Sequence, residues 1–133
     1  MASTGIFESA RTDSRTLLTE VESKALAQEA GIPVVETRLA CNKNQAVSIA
    51  QSLGLPVVMK VVSPDVVHKS DVGGVRMGLN SLRHVREAYD SIVSSTRGAF
   101  PGATILGVTV QRMAQPGVEV IIGAFRNPEF GPV

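Results

Sequence analysis

The chain has 133 residues, 44% of them apolar and 19% charged, with a formal net charge of +1. That length fits one domain, or part of one, with a sizeable core. A near-neutral balance without a run of like charges argues against a nucleic-acid or membrane-surface partner, and 4% aromatic residues with no tryptophan leave no stacking platform for single strands.

Cys41 is the only cysteine, so no internal disulfide and no cysteine-rich zinc site can form. A reducing, cytoplasmic setting is expected. The first residues lack a charged segment followed by an apolar one, as a signal peptide needs. No apolar run approaches the roughly 18 residues of a membrane span.

Residues 1–16 are polar and aperiodic and read as a flexible leader. Thr19 and Glu22 have the spacing of a capping box, and Leu18, Val21, Ala25 and Leu26 give a partial helical stripe that Gly31 and Pro33 end. A short extended segment, Val34 to Ala40, follows. Asn42 and Gln45 start a second helix, with Ala46, Ile49, Ala50 and Leu53 on one face. Gly54 and Pro56 close it, and Val57 to Val62 read as a strand.

A loop then leads into a second strand, Val75 to Leu79. Ser81 caps a third helix to about Arg97, with Val85, Ala88, Tyr89, Ile92 and Val93 inward. Ile105 to Val110 is β-rich, with Gln111, Arg112 and Met113 trailing it. Pro116-Gly117 turns, Val118 to Phe125 reads as another strand, and Asn127-Pro128 turns again. Val133 reads as the first residue of a further strand, so a fragment of a longer protein is expected.

Three features point to chemistry. Alternation puts Val58, Lys60 and Val62 on one strand face. A lysine there is costly to bury without a counter-charge, which an anionic ligand such as a phosphate would supply; a lysine whose head reaches water is the alternative. The loop from His68 to Gly74 adds an imidazole, Lys69, Ser70 and Asp71. Gly73-Gly74 would let backbone amides approach a phosphate, or would simply turn a hairpin. Third, the segment Gln111 to Glu119 could connect two lobes and meet an adenine edge and ribose hydroxyls, or be a plain Pro-Gly hairpin. Neither G-x-x-x-x-G-K-[ST] nor G-x-G-x-x-G occurs. No carboxylate or second histidine sits at metal-ligand spacing from His68, so no metal site is expected within the chain.

Taken together, Pro56 to Asp65, the string His68-Lys69-Ser70-Asp71-Val72-Gly73-Gly74-Val75, Gly117 to Gly123 and Pro128 to Val133 resemble the ADP-forming acyl-CoA synthetases. The resemblance is to their ATP-grasp part, the β subunit or β-type domain of ADP-forming acetate–CoA ligase, and runs from about Leu17 to Val133. It implies an α/β (α+β) ATP-grasp fold: three helices on a mainly antiparallel sheet. Residues 17–113 would form the first lobe, and 114–133 the hinge and opening strand of the second.

The implied reaction interconverts acyl-CoA, ADP and phosphate with carboxylate, CoA and ATP, through a phosphohistidine. By the resemblance Lys60 holds nucleotide phosphates, and Ser70, Asp71, Gly73 and Gly74 belong to a phosphate loop. Gln111, Arg112 and Met113 contact adenine, Glu119 binds ribose, and His68 carries phosphate. ATP or ADP is the implied nucleotide, with Mg²⁺ held by ligands outside this chain. The implied partner is a CoA-binding domain or α subunit with the other phosphohistidine, where a small acyl substrate binds. By itself the chain would not turn over. The rival is a non-catalytic nucleotide-binding regulatory module attached to an acyltransferase.

Overall fold

The computed structural model describes residues 2–133. Its framework is a four-stranded antiparallel sheet in the order β1-β4-β2-β3, built from β1 (Thr37–Ala40), β2 (Val57–Val62), β3 (Val75–Leu79) and β4 (Gly107–Arg112). The apolar run 57–62 therefore lies inside the sheet, with β4 on one side and β3 on the other. Its alternation sorts the faces. Val57, Met59 and Val61 are fully buried in a core shared with Val85, Ile92, Val108 and Val110.

Helices α3 (Lys43–Leu53) and α4 (Leu82–Ala99) cover that core face. Asn42 caps α3 by accepting from the Gln45 amide, and Ser81 caps α4 by accepting from the His84 amide. The buried residues of α4 are Val85, Ala88, Ile92 and Thr96, one continuous stripe. Each fully buried aliphatic side chain of this core stabilises by roughly 1.5–3 kcal/mol.

The other sheet face, which carries Lys60 and Gln111, receives α2 (Glu20–Glu29). The capping box forms as its spacing predicts: Thr19 Oγ1 accepts from the Glu22 amide, and Glu22 Oε2 accepts from the Thr19 amide.

Three expectations need correction. Within the expected flexible leader 1–16, Ala2–Thr12 form helix α1, which packs on α2; residue 1 lies outside the described residues. Gln111 and Arg112 do not trail β4 but belong to it, because its ladder with β2 runs from Val62 opposite Gly107 to Val57 opposite Arg112. Val118 to Phe125 form no strand. A strand needs a partner for its backbone groups, and no described strand runs beside this segment; Ile121 is 100% exposed. Beyond it, β5 (Arg126–Asn127) and β6 (Gly131–Pro132) make a short hairpin around Asn127, whose Oδ1 accepts from the Glu129 and Phe130 amides. No described helix is long and apolar enough to cross a membrane.

Candidate functional site

Lys60 is 27% exposed and sits on an interior strand, so its ammonium needs a counter-charge. Helix α2 supplies one: Lys60 Nζ donates to Glu20 Oε1 at 2.7 Å. The same oxygen lies 3.1 Å from Nζ of Lys24, one turn further along α2. Lys24 also donates to Thr37 Oγ1 at 2.6 Å and to Gln111 Oε1 at 2.8 Å. Gln111 Oε1 is 3.5 Å from Lys60 Nζ. Two lysines thus share one carboxylate, and the cluster keeps a positive surplus. Burial of Glu20 opposes its ionisation, but hydrogen bonds and charge from Lys60, then Lys24, outweigh it and hold the carboxyl below its ordinary range.

Lys60 opens into a cleft of about 570 Å³ walled by Glu20, His68, Lys69, Ser70 and Asp71 among others. The structure therefore brings Lys60, His68, Ser70 and Asp71 to one hollow, although the loop residues follow the strand by several positions. A second hollow of about 810 Å³ lies between residues 13–20 and 62–69. Val67 and Lys69, the neighbours of His68, line both. The imidazole is exposed and has no hydrogen-bond partner among the described residues.

The loop is folded by its own backbone. The Gly73 amide donates to the Ser70 carbonyl at 3.2 Å, Gly74 to Lys69 at 2.7 Å, and Val61 to Gly74 at 2.7 Å. Asp65 Oδ2 accepts from the Thr104 amide and ties the loop's start to the segment before β4. The two glycine amides are thus spent inside the loop. The amides of Lys69, Ser70 and Val72 have no partner among the described residues, and of the three residues Lys69 and Ser70 line the cleft. Sequence reasoning placed the phosphate-facing amides on the glycines.

The other candidates do not line this cleft, although Gln111 reaches Lys60 from behind it. Gln111 Oε1 meets the ammonium groups of Lys24 and Lys60. The Met113 amide donates to the Pro56 carbonyl at 3.0 Å. Arg112 is exposed, with its backbone opposite Val57 in the β2 ladder. Glu119 is exposed without a partner among the described residues. Sequence reasoning missed Glu20 and Lys24; their only local signal was the i,i+4 spacing of opposite charges at the start of a capped helix.

Residues 9–133 match the ATP-grasp domain. The chain belongs to the ATP-grasp family. The match starts ahead of Leu17 and so takes in the end of α1. The β subunit of acetate–CoA ligase (ADP-forming) I from Pyrococcus furiosus is 42% identical over 127 residues, covering 96% of this chain and 54% of that protein. The 4-hydroxybutyrate–CoA ligase (ADP-forming) of Nitrosopumilus maritimus is 38% identical over 96% of this chain and 18% of that protein.

Among solved structures, an acetyl-coenzyme A synthetase 1 from Candidatus Korarchaeum cryptofilum, in complex with coenzyme A, Ca-AMPCP and HgCl⁺, superposes with a TM-score of 0.95. It is 46% identical over 98% of this chain and 57% of that one. The same enzyme with Mg-AMPPCP, its phosphohistidine segment pointing towards the nucleotide site, superposes at 0.80, with 42% identity over 98% of this chain and 54% of that one. The ATP-grasp chain thus spans about half the length of the β subunit and the solved chains it matches. These relatives are the family that the motifs resemble.

The cleft suits a polyphosphate better than a magnesium ion. Its wall offers two cations and an imidazole, while Glu20 is committed to two lysines and Asp71 is the remaining carboxylate. Mg²⁺ needs several oxygen ligands, and among the described residues no group of three His, Cys, Asp or Glu side chains could hold a metal.

Proposed function

We propose that this ATP-grasp chain is the nucleotide-binding part of an ADP-forming acyl-CoA synthetase, a ligase interconverting acyl-CoA, ADP and phosphate with carboxylate, CoA and ATP. The observation that carries the reading is the shared cleft, where a lysine with surplus positive charge faces an unpartnered histidine. The ligase names of the relatives favour it over a regulatory module.

Phosphoryl transfer needs chiefly positioning and neutralised charge. Lys60 supplies fixed charge to the nucleotide phosphates. The amides of Lys69, Ser70 and Val72, with the Ser70 hydroxyl, supply donors, and Gly73 and Gly74 shape the turn that presents them. Asp71 belongs to the same phosphate loop and lines the cleft. Arg112 and Met113 border the adenine, and Glu119 accepts from ribose hydroxyls. Gln111 serves the phosphate end through the lysines.

His68 is the carrier. In the ATP-forming direction, phosphate displaces CoA from the acyl-CoA at a separate CoA-binding domain or subunit, which holds the other phosphohistidine. The resulting acyl phosphate gives its phosphoryl group to the imidazole of that other histidine and leaves as carboxylate, and the other phosphohistidine passes the group to the imidazole of His68, returning to imidazole. The phospho-imidazole of His68 then gives the group to the ADP β-phosphate and returns to neutral imidazole. The neighbours of His68 line both hollows, which suits a group that travels between sites. Mg²⁺, if used, is held by ligands elsewhere, so no step here runs through it.

The test is turnover of the full-length enzyme together with phosphorus NMR. Lys60→Ala should weaken ADP binding at least about tenfold, as expected for a charge-assisted contact. His68→Ala should abolish ATP formation and the phosphohistidine signal while ADP still binds. Full turnover in His68→Ala would remove the carrier role, and unchanged ADP affinity in Lys60→Ala would remove the nucleotide assignment.

A further inference from the structure

We propose that Lys24 is a positioning residue for the nucleotide: acting through Glu20, it leaves Lys60 with charge to give to a phosphate. The inference rests on the nucleotide reading above. A Lys60–Glu20 pair alone would be neutral, and an incoming phosphate would have to strip a carboxylate from its only cation. Lys24 changes that balance, because Glu20 Oε1 is shared between both ammonium groups, at 2.7 Å and 3.1 Å.

Lys24 does not line the cleft. Thr37 Oγ1 and Gln111 Oε1 hold it behind Lys60, while Lys60 faces the hollow. Its charge therefore acts through the shared carboxylate and not by touching the ligand. Other charges do not substitute for it. Arg15 is taken up by Asp13 and Glu22, and Lys69 shares the cleft wall with Asp71. At this partial burial an added unit charge within a few ångströms is worth more than at an open surface.

The experiment measures ADP binding to the full chain by NMR titration at low and high salt, with folding checked by circular dichroism. Lys24→Met should bind ADP about tenfold more weakly than wild type at low salt, with the gap closing at high salt. Lys24→Arg should restore binding. The double variant Glu20→Gln/Lys24→Met returns the cluster to a single positive charge and should bind more tightly than Lys24→Met alone.

Wild-type affinity in Lys24→Met, or a double variant weaker than Lys24→Met, would overturn the inference, since a merely structural role predicts accumulating damage. If Lys24→Met does not fold, Glu20→Gln decides: it must bind ADP more tightly than wild type at low salt, and equal or weaker binding overturns the proposal. Lys60→Met separates the two levels. If it binds ADP like wild type, the nucleotide reading fails and takes this inference with it. If it loses ADP while Lys24→Met does not, only the inference fails.

Discussion

A Cβ placed on Gly74 would lie 2.6 Å from Val61 Cγ1 and 2.8 Å from the Lys69 carbonyl oxygen. Both neighbours belong to the frame of the site: Val61 is fully buried in β2, and the Lys69 carbonyl closes the loop by accepting from the Gly74 amide. Neither can retreat cheaply. Gly74→Ala should therefore destabilise the chain by about 1–3 kcal/mol, the usual cost of overpacking, read as a lower urea midpoint with an unchanged slope. Gly73 is constrained differently, through a φ of +67° that side chains rarely adopt. The sequence shows that two adjacent glycines must matter. It does not show that one serves packing and the other a turn, because Val61 and Lys69 meet Gly74 only after the loop closes.

Helix α2 has no buried residue, so apolar burial does little to hold it. Its ends and its charges do that work. Thr19→Ala removes the cap and should cost about 1 kcal/mol, and because α2 carries Glu20 and Lys24 it should also weaken ADP binding. The N-terminal end is clamped by Arg15, whose guanidinium donates to both Glu22 oxygens at 3.0 Å and 2.9 Å. That contact, with the Thr19 bonds, outweighs burial and holds the Glu22 carboxyl at about 2, below its ordinary 4.5.

The folded-state value is depressed, so the stability this group contributes is complete above the ordinary carboxyl range and lost as pH falls from 4.5 towards 2. Wild type should lose more stability across that window than Arg15→Met, whose Glu22 titrates nearer its ordinary value. Urea unfolding of both variants at neutral and acid pH measures the difference, and parallel pH curves would refute the clamp. The cap was legible because it lies within four residues of chain. Helix α1 was not: its apolar residues Ile6, Phe7 and Ala10 are few, Gly5 interrupts them, and its support is α2, which no local pattern reveals.

Across the whole molecule the same division holds between local and distant. The strand β2, the three capped helices and the antiparallel pairing follow from alternation, periodicity and turn residues. The Lys60 counter-ion lies 40 residues away in sequence and its amide neighbour 51 away, so neither could be read from spacing. Val118 to Phe125 marks the opposite limit, since β propensity there was legible but the missing ladder partner was not. These contrasts set an order of backbone protection. Amides of β2 and β4 lie in interior ladders over the buried core. Amides of 114–124 have no hydrogen-bond partner among the described residues. Hydrogen exchange should therefore be slowest in Val57–Val62 and Gly107–Arg112 and fastest in 114–124. Adding ADP should slow the amides of Lys69, Ser70 and Val72, the three that the loop leaves unpaired, while Gly73 and Gly74, already bonded, change least. Protection of the glycines first would return the phosphate contact to them and would mean that the loop refolds around the ligand.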